Sequence, residues 1–409
     1  MRLAITISPA FGNSLTTLFV TGLTERDQLL CTAFSAPPTH ARQIHTDFSG
    51  VSPAPGSTAA GYRAKSGQQP TFLGAGSEAK REHLALWRFR PYLVTHSKQT
   101  KAGGMTMRYA LATLGIANTS VPAIEVDGKF WDLGNTELAP LVTSERRSLM
   151  GLFVDWPTSH ARLKSLADAL AAGKGGAPTT TFAAKPVFQT PLQYPGKMIC
   201  TGMNFYDHLE EAGMSLNREE TYPPLFFKTP TTTLVGCGKS VRYPTQTEKL
   251  DWEIEMVAVI GKHARSVKAE HALDYVAGYA NGCDLSARDR QLDPRHVRKS
   301  DTIGGKSFDD AAPVGPIILP AEFAGDAQNF SMVLTVNGTV EQNGNTSGMI
   351  WSIAEQIEEA SRHMTLEPGD MIMTGTPSGV GHFRGKYLHK TDRVTCAIGP
   401  LGILDFEIV

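Results

Sequence analysis

The hydrophobic and polar positions divide this chain near residue 104. Downstream, alternation with a period of two recurs: residues 108–114 read as a strand, and 122–126 and 129–133 around Asp127-Gly128 read as a tight hairpin. Helical spacing follows over 144–153 and 159–172, so 105–172 read as a small N-terminal α+β domain. The Gly- and Thr-rich stretch within 173–184 reads as a linker. From 185 to 409 strand patterns dominate, at 197–202, 276–283, 331–336, 339–342 and 371–374. Short helices are expected at 207–213, 269–275 and 352–363, the last opened by a capping box of Ser352 and Glu355. Upstream, residues 1–104 are rich in Ser, Thr, Gly, Pro and Ala, and no period persists. They read as a disordered or non-native extension, with the folded protein beginning near Met105 or Met107.

The most informative stretch runs from Asp251 to Gly261. Its alternation places Glu253 and Glu255 on one face and Trp252, Ile254 and Met256 on the other, and the apolar run that follows reads as a strand buried on both faces. Two carboxylates at the mouth of a buried strand repel each other and lose hydration, so they require a cation or must take up protons. Asp284 ends another apolar strand at the start of a polar loop. Three carboxylates from two strands, without thiolates or clustered histidines, favour a hard ion: Mg²⁺ or Mn²⁺, then Ca²⁺, with zinc last. The other reading of the same residues is an edge strand with a wet glutamate face and Asp284 as a helix N-cap.

Composition narrows the class. The formal net charge is -1 and charged residues make up 19%, so nothing global points to nucleic acid or a membrane surface. The charge is uneven, since residues 1–104 hold 11 Lys+Arg against 5 Asp+Glu, which marks them as a different kind of sequence. Five scattered cysteines, Cys31, Cys200, Cys237, Cys283 and Cys396, argue against a disulfide framework or a thiolate zinc site and suit a reducing, cytoplasmic setting. The basic, acid-poor start also permits an organelle-targeting peptide, although its first turns carry only Arg2. No apolar run reaches the length of about 18 residues that a membrane span needs. Two Gly-Lys-Ser runs fail as phosphate loops, because Thr233 and Ser300 stand where the first glycine is required.

Five motifs then occur in order: Gly202-Met203-Asn204-Phe205-Tyr206-Asp207-His208, Glu253-x-Glu255, Gly282-Cys283-Asp284-Leu285-Ser286-Ala287-Arg288-Asp289, Gly305-Lys306-Ser307-Phe308-Asp309, and Thr374-Gly375-Thr376-Pro377-Ser378-Gly379-Val380-Gly381. Together they resemble the fumarylacetoacetate hydrolase (FAH) family, in particular its acylpyruvase and 2-oxo-hepta-ene-dioate isomerase-like members. The resemblance covers about 185–409 and, more weakly, 107–172. It implies a mixed β-sandwich roll with a small N-terminal α+β domain, a homodimer, and one divalent metal ion on Glu253, Glu255 and Asp284. It further implies His208 and Glu211 as a water-activating dyad, Lys306 as a catalytic cation, and Arg288, Gln291, Thr376, Tyr206 and Lys228 around a small 2-oxo or 2,4-dioxo acid. Read locally, His208 and Glu211 could equally be a solvated helix pair, and Arg288 a structural ion-pair partner.

The expected activity is Mg²⁺-dependent hydrolysis of a C–C bond in an acylpyruvate- or fumarylpyruvate-like 2,4-dioxo acid, through a metal-stabilised enolate. The alternatives are decarboxylation, isomerisation or hydration of a 2-oxo acid of aromatic catabolism at the same site, or a silent metabolite-binding protein. The basic stretch 292–301 departs from what small monoacid substrates would require and is a candidate for facing a second carboxylate.

Overall fold

The computed structural model describes residues 108–143 and 147–409. The reading of 1–104 as an extension lies outside the described residues. In chain order the strands are β1 (Ala110–Ile116), β2 (Thr119–Val126), β3 (Lys129–Asp132), β4 (Thr180–Thr181), β5 (Met198–Thr201) and β6 (Leu225–Lys228). Next come β7 (Leu234–Val235), β8 (Ser240–Val241), β9 (Leu250–Asp251), β10 (Ile254–Ile260), β11 (Val276–Cys283) and β12 (Ser286–Ala287). The last six are β13 (Ala312–Pro320), β14 (Ser331–Val336), β15 (Thr339–Asn345), β16 (Met371–Met373), β17 (Arg393–Ile398) and β18 (Ile403–Ile408).

One 11-stranded sheet runs β4-β3-β2-β1-β13-β11-β10-β16-β5-β6, with β7 paired to β13, and a five-stranded sheet runs β15-β14-β17-β18-β8. Pairing is mixed: β16 with β5, β18 with β8 and β13 with β7 are parallel, and the remaining pairs are antiparallel. This is a β-rich α+β fold. The hairpin β2-β3 turns at Asp127 and Gly128 with φ of 50° and 77°, the left-handed pair that a two-residue hairpin needs. The strands of the N-terminal piece continue into the large sheet, because Leu111 of β1 pairs with Ile318 of β13. Part of the linker-like stretch is tied down as well, through β4 on β3 and through Asp132 N–H to Thr179 Oγ1 at 3.1 Å.

The sheet interior explains the apolar run that follows the two glutamates. Met256 to Ile260 of β10 are fully buried, flanked by β11 on one side and β16 on the other. The expected continuous strand from Asp251 is interrupted, however. Leu250 and Asp251 pair with β12 instead, and β10 begins only at Ile254, so Glu253 sits in the break between two pairings. The helix Ile353–His363 starts at the expected capping box, with both Ser352 and Glu355 bonds present.

The two sheets are joined by a polar contact inside the core. Asn281 of β11 is fully buried and donates its amide to Cys396 O at 2.7 Å and Gly402 O at 3.2 Å. Replacing Asn281 by Ala should leave these carbonyls without their donor and lower stability by about 1–3 kcal/mol. Chemical denaturation against the native chain measures this, and a loss below a few tenths would show that the contact does not hold the sheets together.

Candidate metal centre and active site

Glu253, Glu255 and Asp284 are all buried and each offers an oxygen within 4.8 Å of the others. Antiparallel pairing brings them together: Ile254 of β10 faces Cys283 of β11, so the residues flanking that pair converge at one strand end. The Asp284 N–H donates to Glu253 O at 2.8 Å and closes the rung beyond it.

Two ammonium groups lie among these carboxylates. Lys306 Nζ is 2.7 Å from Glu253 Oε2 and 2.8 Å from Asp284 Oδ2. It arrives on the short helix Thr302–Lys306, which presses so closely on Gln291 that a Cβ at Gly305 would stand 2.4 Å from Gln291 Cβ. Lys228 Nζ pairs with the other oxygen of Asp284 and also donates to Ala311 O at 2.8 Å and Leu285 O at 3.4 Å. Its donors are therefore all engaged by protein. Expected as a substrate contact, Lys228 here supports Asp284 from behind.

Arg288 is the third cation. Its Nε donates to Asp251 Oδ2 at 2.8 Å, its Nη1 to Gln291 Oε1 at 3.0 Å, and its Nη2 pairs with Glu253. Burial alone would raise the Glu253 carboxyl, but Lys306 and Arg288 override it and hold the group well below the usual carboxylate range. Glu255 is pushed well above that range, by burial and then by the neighbouring charges of Asp284 and Glu253, against the Lys306 ammonium and one Gly375 N–H at 2.9 Å. A pocket of carboxylates that pushes one member upward in pKa and draws an ammonium between two others matches a hard divalent cation in donor chemistry.

Opposite the triad lies the short helix Tyr206–Glu211. His208 is buried, with its Nδ1 within 3.4 Å of Glu211 Oε2. Both oxygens of Glu211 accept the Gly379 N–H at 3.1 Å, and Ser378 Oγ donates to Asp207 at 2.9 Å, so the helix is docked on the Thr374–Gly381 loop. The solvated helix pair is thereby excluded for His208. Tyr206, at the exposed start of this helix, is 54% accessible and makes none of the buried contacts just described. Thr376 is 2% exposed in the same loop, whose bend at Gly375 (φ 95°) leaves no room for a Cβ against Asn204. Gln291 is half-buried and held by Arg288.

Sequence reasoning missed two buried polar residues. Asp251 is fully buried and accepts from Gly381 N at 2.7 Å, His382 N at 3.1 Å and Arg288, tying the loop to the arginine. Gln342 bonds to both β10 and the loop. The signal for Asp251 was present, since it is the third acid of Asp-Trp-Glu-x-Glu in a stretch too apolar to leave one uncompensated. The basic stretch 292–301 is less free than its composition suggested, because Arg290 and Arg295 both pair with Asp293, at 3.2 and 2.6 Å.

Removing Lys228 should expose the cost of the arrangement. Lys228→Met leaves Asp284 buried with half its counter-charge gone, and a loss of about 3–5 kcal/mol is expected. Thermal unfolding with and without Mg²⁺ measures it, and a variant as stable as the native chain without Mg²⁺ would show that Lys228 does not compensate Asp284.

Residues 197–409 match the family model for the fumarylacetoacetate (FAA) hydrolase C-terminal region. The mitochondrial oxaloacetate tautomerase FAHD2A of Homo sapiens is 38% identical over 224 residues, which is 54% of this chain and 69% of that protein. Among solved structures, the maleylpyruvate hydrolase of Sphingobium sp. SYK-6 is similar at 26% identity and TM-score 0.57, covering 73% of this chain and 99% of that one. The 5-carboxymethyl-2-hydroxymuconate delta-isomerase of Mycobacterium smegmatis is similar at 25% identity and TM-score 0.53, covering 73% and 98%. With the family model spanning more than half of its length and the family's motifs assembled around one buried acidic site, the chain belongs to the fumarylacetoacetate hydrolase family.

Proposed function

We propose that this chain is a divalent-metal-dependent enzyme that enolises a small 2-oxo acid, and that its reaction is keto–enol tautomerisation of oxaloacetate or a close analogue. The observation that carries the reading is the buried Glu253, Glu255 and Asp284 triad with Lys306 set between its carboxylates. The likeness to oxaloacetate tautomerases supports the choice of reaction. Mg²⁺ or Mn²⁺ bound by the triad would supply Lewis-acid stabilisation of negative charge on the 2-oxo oxygen.

The remaining chemistry falls to the protein. His208 is buried and oriented by Glu211, so its other ring nitrogen is available to take a proton from the carbon beside the carbonyl and return one to the product. Lys306 and Arg288 keep positive charge next to the developing oxyanion. Thr376 offers its hydroxyl as a hydrogen-bond donor for the substrate carboxylate, while the N–H groups of Gly375, Gly379 and Gly381 are spent on Glu255, Glu211 and Asp251. A second reading, hydrolytic C–C cleavage of a 2,4-dioxo acid, is favoured by the same dyad, because His208 with Glu211 behind it can equally deprotonate water.

The test is turnover of oxaloacetate, acetylpyruvate and fumarylpyruvate by metal-stripped protein with and without added Mg²⁺. Interconversion of keto and enol oxaloacetate only with Mg²⁺, lost in Glu253→Gln, is the expected result. Cleavage of the dioxo acids alone would transfer the site to the hydrolase reading, and metal binding without any turnover would leave a binding protein. Glu211→Gln should lower kcat by about 10²-fold or more while KM stays within a few-fold. An unchanged kcat would remove the dyad from the chemistry.

A further inference from the structure

The loop that carries Thr376 leaves the sheet where β16 ends. Up to that point β16 pairs with β10, and the last rung is Thr374 N–H to Met256 O at 3.0 Å. The next donor on the same side of β10, the N–H of Ile254, has no strand opposite it, because the chain has turned away through Gly375. Gln342 fills that place. Its side chain is 1% exposed, on the core face of β15 opposite Leu334, beside a bulge in the β14-β15 pairing that leaves Glu341 unpaired. Gln342 Oε1 accepts the Ile254 N–H at 2.9 Å, and Nε2 donates to Pro377 O at 2.8 Å and to Thr376 Oγ1 at 2.8 Å.

These partners determine which way the amide points. A backbone N–H can only donate and a proline carbonyl can only accept, so the oxygen must face Ile254 and the NH₂ must face Pro377 and Thr376. Thr376 Oγ1 therefore receives a hydrogen from Gln342, and its own O–H is left to donate to another acceptor. The hairpin is held close enough to impose this: a Cβ at Gly344 would stand 2.5 Å from Pro377 Cβ, and one at Gly379 would stand 2.2 Å from Glu341 O.

We infer that Gln342 is a positioning residue that locks Thr376 as an obligate hydrogen-bond donor to the carboxylate of a 2-oxo acid, at a fixed distance from the Glu253/Glu255 strand. The inference rests on the proposed function, in that it takes the anion at Thr376 to be the substrate. Gln342→Glu is nearly isosteric and keeps the bond from Ile254, but when ionised its second oxygen can no longer donate to Pro377 O or Thr376 and takes the Thr376 proton for itself, reversing the polarity of the contact.

The experiment measures oxalate binding to Mg²⁺-loaded protein by calorimetry, alongside KM and kcat for oxaloacetate, in Gln342→Glu, Thr376→Val, Thr376→Ser and the double variant Gln342→Glu/Thr376→Val. Gln342→Glu and Thr376→Val should each weaken oxalate binding and raise KM by about 10-fold or more, with kcat and Mg²⁺ affinity little changed. Thr376→Ser should keep native binding, and the double variant should be no worse than either single one, because both remove the same donated hydrogen. Losses that multiply in the double variant, or native oxalate binding by Thr376→Val, would overturn the inference. The Thr376 variants decide it alone should Gln342→Glu not fold. If the native Mg²⁺-loaded protein neither binds oxalate nor acts on any 2-oxo acid, the functional reading itself falls and takes this inference with it.

Discussion

Placing three carboxylates of one sign at the end of two adjacent buried strands is the constraint on which the rest of this structure depends. At separations under 5 Å and out of contact with water, Glu253, Glu255 and Asp284 cannot all remain charged unless cations are brought to them. Lys228, Lys306 and Arg288 are those cations, and each is delivered by a different element: β6, the helix Thr302–Lys306, and the short helix Arg288–Gln291 after β12. The three together do not discharge the field, since Asp251 is a further buried acid and Glu255 is still pushed towards its neutral form. A site that stays short of positive charge after folding is suited to hold a metal ion that the chain itself does not supply.

The supports differ in how far they commit a side chain. Lys228 is fixed on Asp284 and two main-chain carbonyls, so it belongs to the framework whatever reaction occurs. Lys306 hydrogen-bonds only to carboxylates, with its ammonium 5.9 Å from the Phe226 ring centroid, and displacing it from between Glu253 and Asp284 would free both oxygens and a charged donor at once. That difference separates a structural lysine from one able to follow charge as it moves in a reaction. The helix Tyr206–Glu211 has an intermediate status, because it meets the substrate loop through two polar contacts, Asp207 with Ser378 and Glu211 with Gly379, beside a single buried leucine, Leu209. Polar contacts of this kind exchange more readily for water than buried apolar packing does.

Much of this was legible in the chain because charge and apolarity conflict so openly there. Two glutamates running into Met-Val-Ala-Val-Ile admit few solutions, and Asp284 at the end of Val276–Cys283 supplies the third ligand position by the same logic. The capping box at Ser352 and the Asp127-Gly128 turn were readable because they are local. What escaped was set by distant pairings. β13 is a central strand that carries Pro313, Pro316 and Pro320, residues that argue against a central strand when only propensity is visible. The break of the strand at Trp252 and Glu253 follows from Asp251 pairing with Ser286, 35 positions away, and nothing near Asp251 announces it. Only the family resemblance points to Lys228 in the chain, and the main-chain carbonyls that engage its donors, Leu285 and Ala311, lie 57 and 83 positions away.

Gln342 shows the same limit from the other side. In the chain it is one polar residue in a hairpin, and a wet amide is the ordinary expectation for it. Burial opposite Leu334 requires its polar atoms to be satisfied by protein, and the groups it takes are those exposed when β16 parts from β10. The departure that creates the anion-facing loop is thus the event that leaves an orphan N–H at Ile254, and one side chain resolves both. Because the same amide touches the residue between two ligand carboxylates and the hydroxyl of Thr376, the spacing between ligand strand and anion loop is not adjustable independently at either end. On the proposed reading, in which Thr376 holds the carboxylate of a 2-oxo acid, the distance from that carboxylate to the acidic site is set by the hairpin, and discrimination among 2-oxo acids falls to whatever lies beyond the reacting carbon.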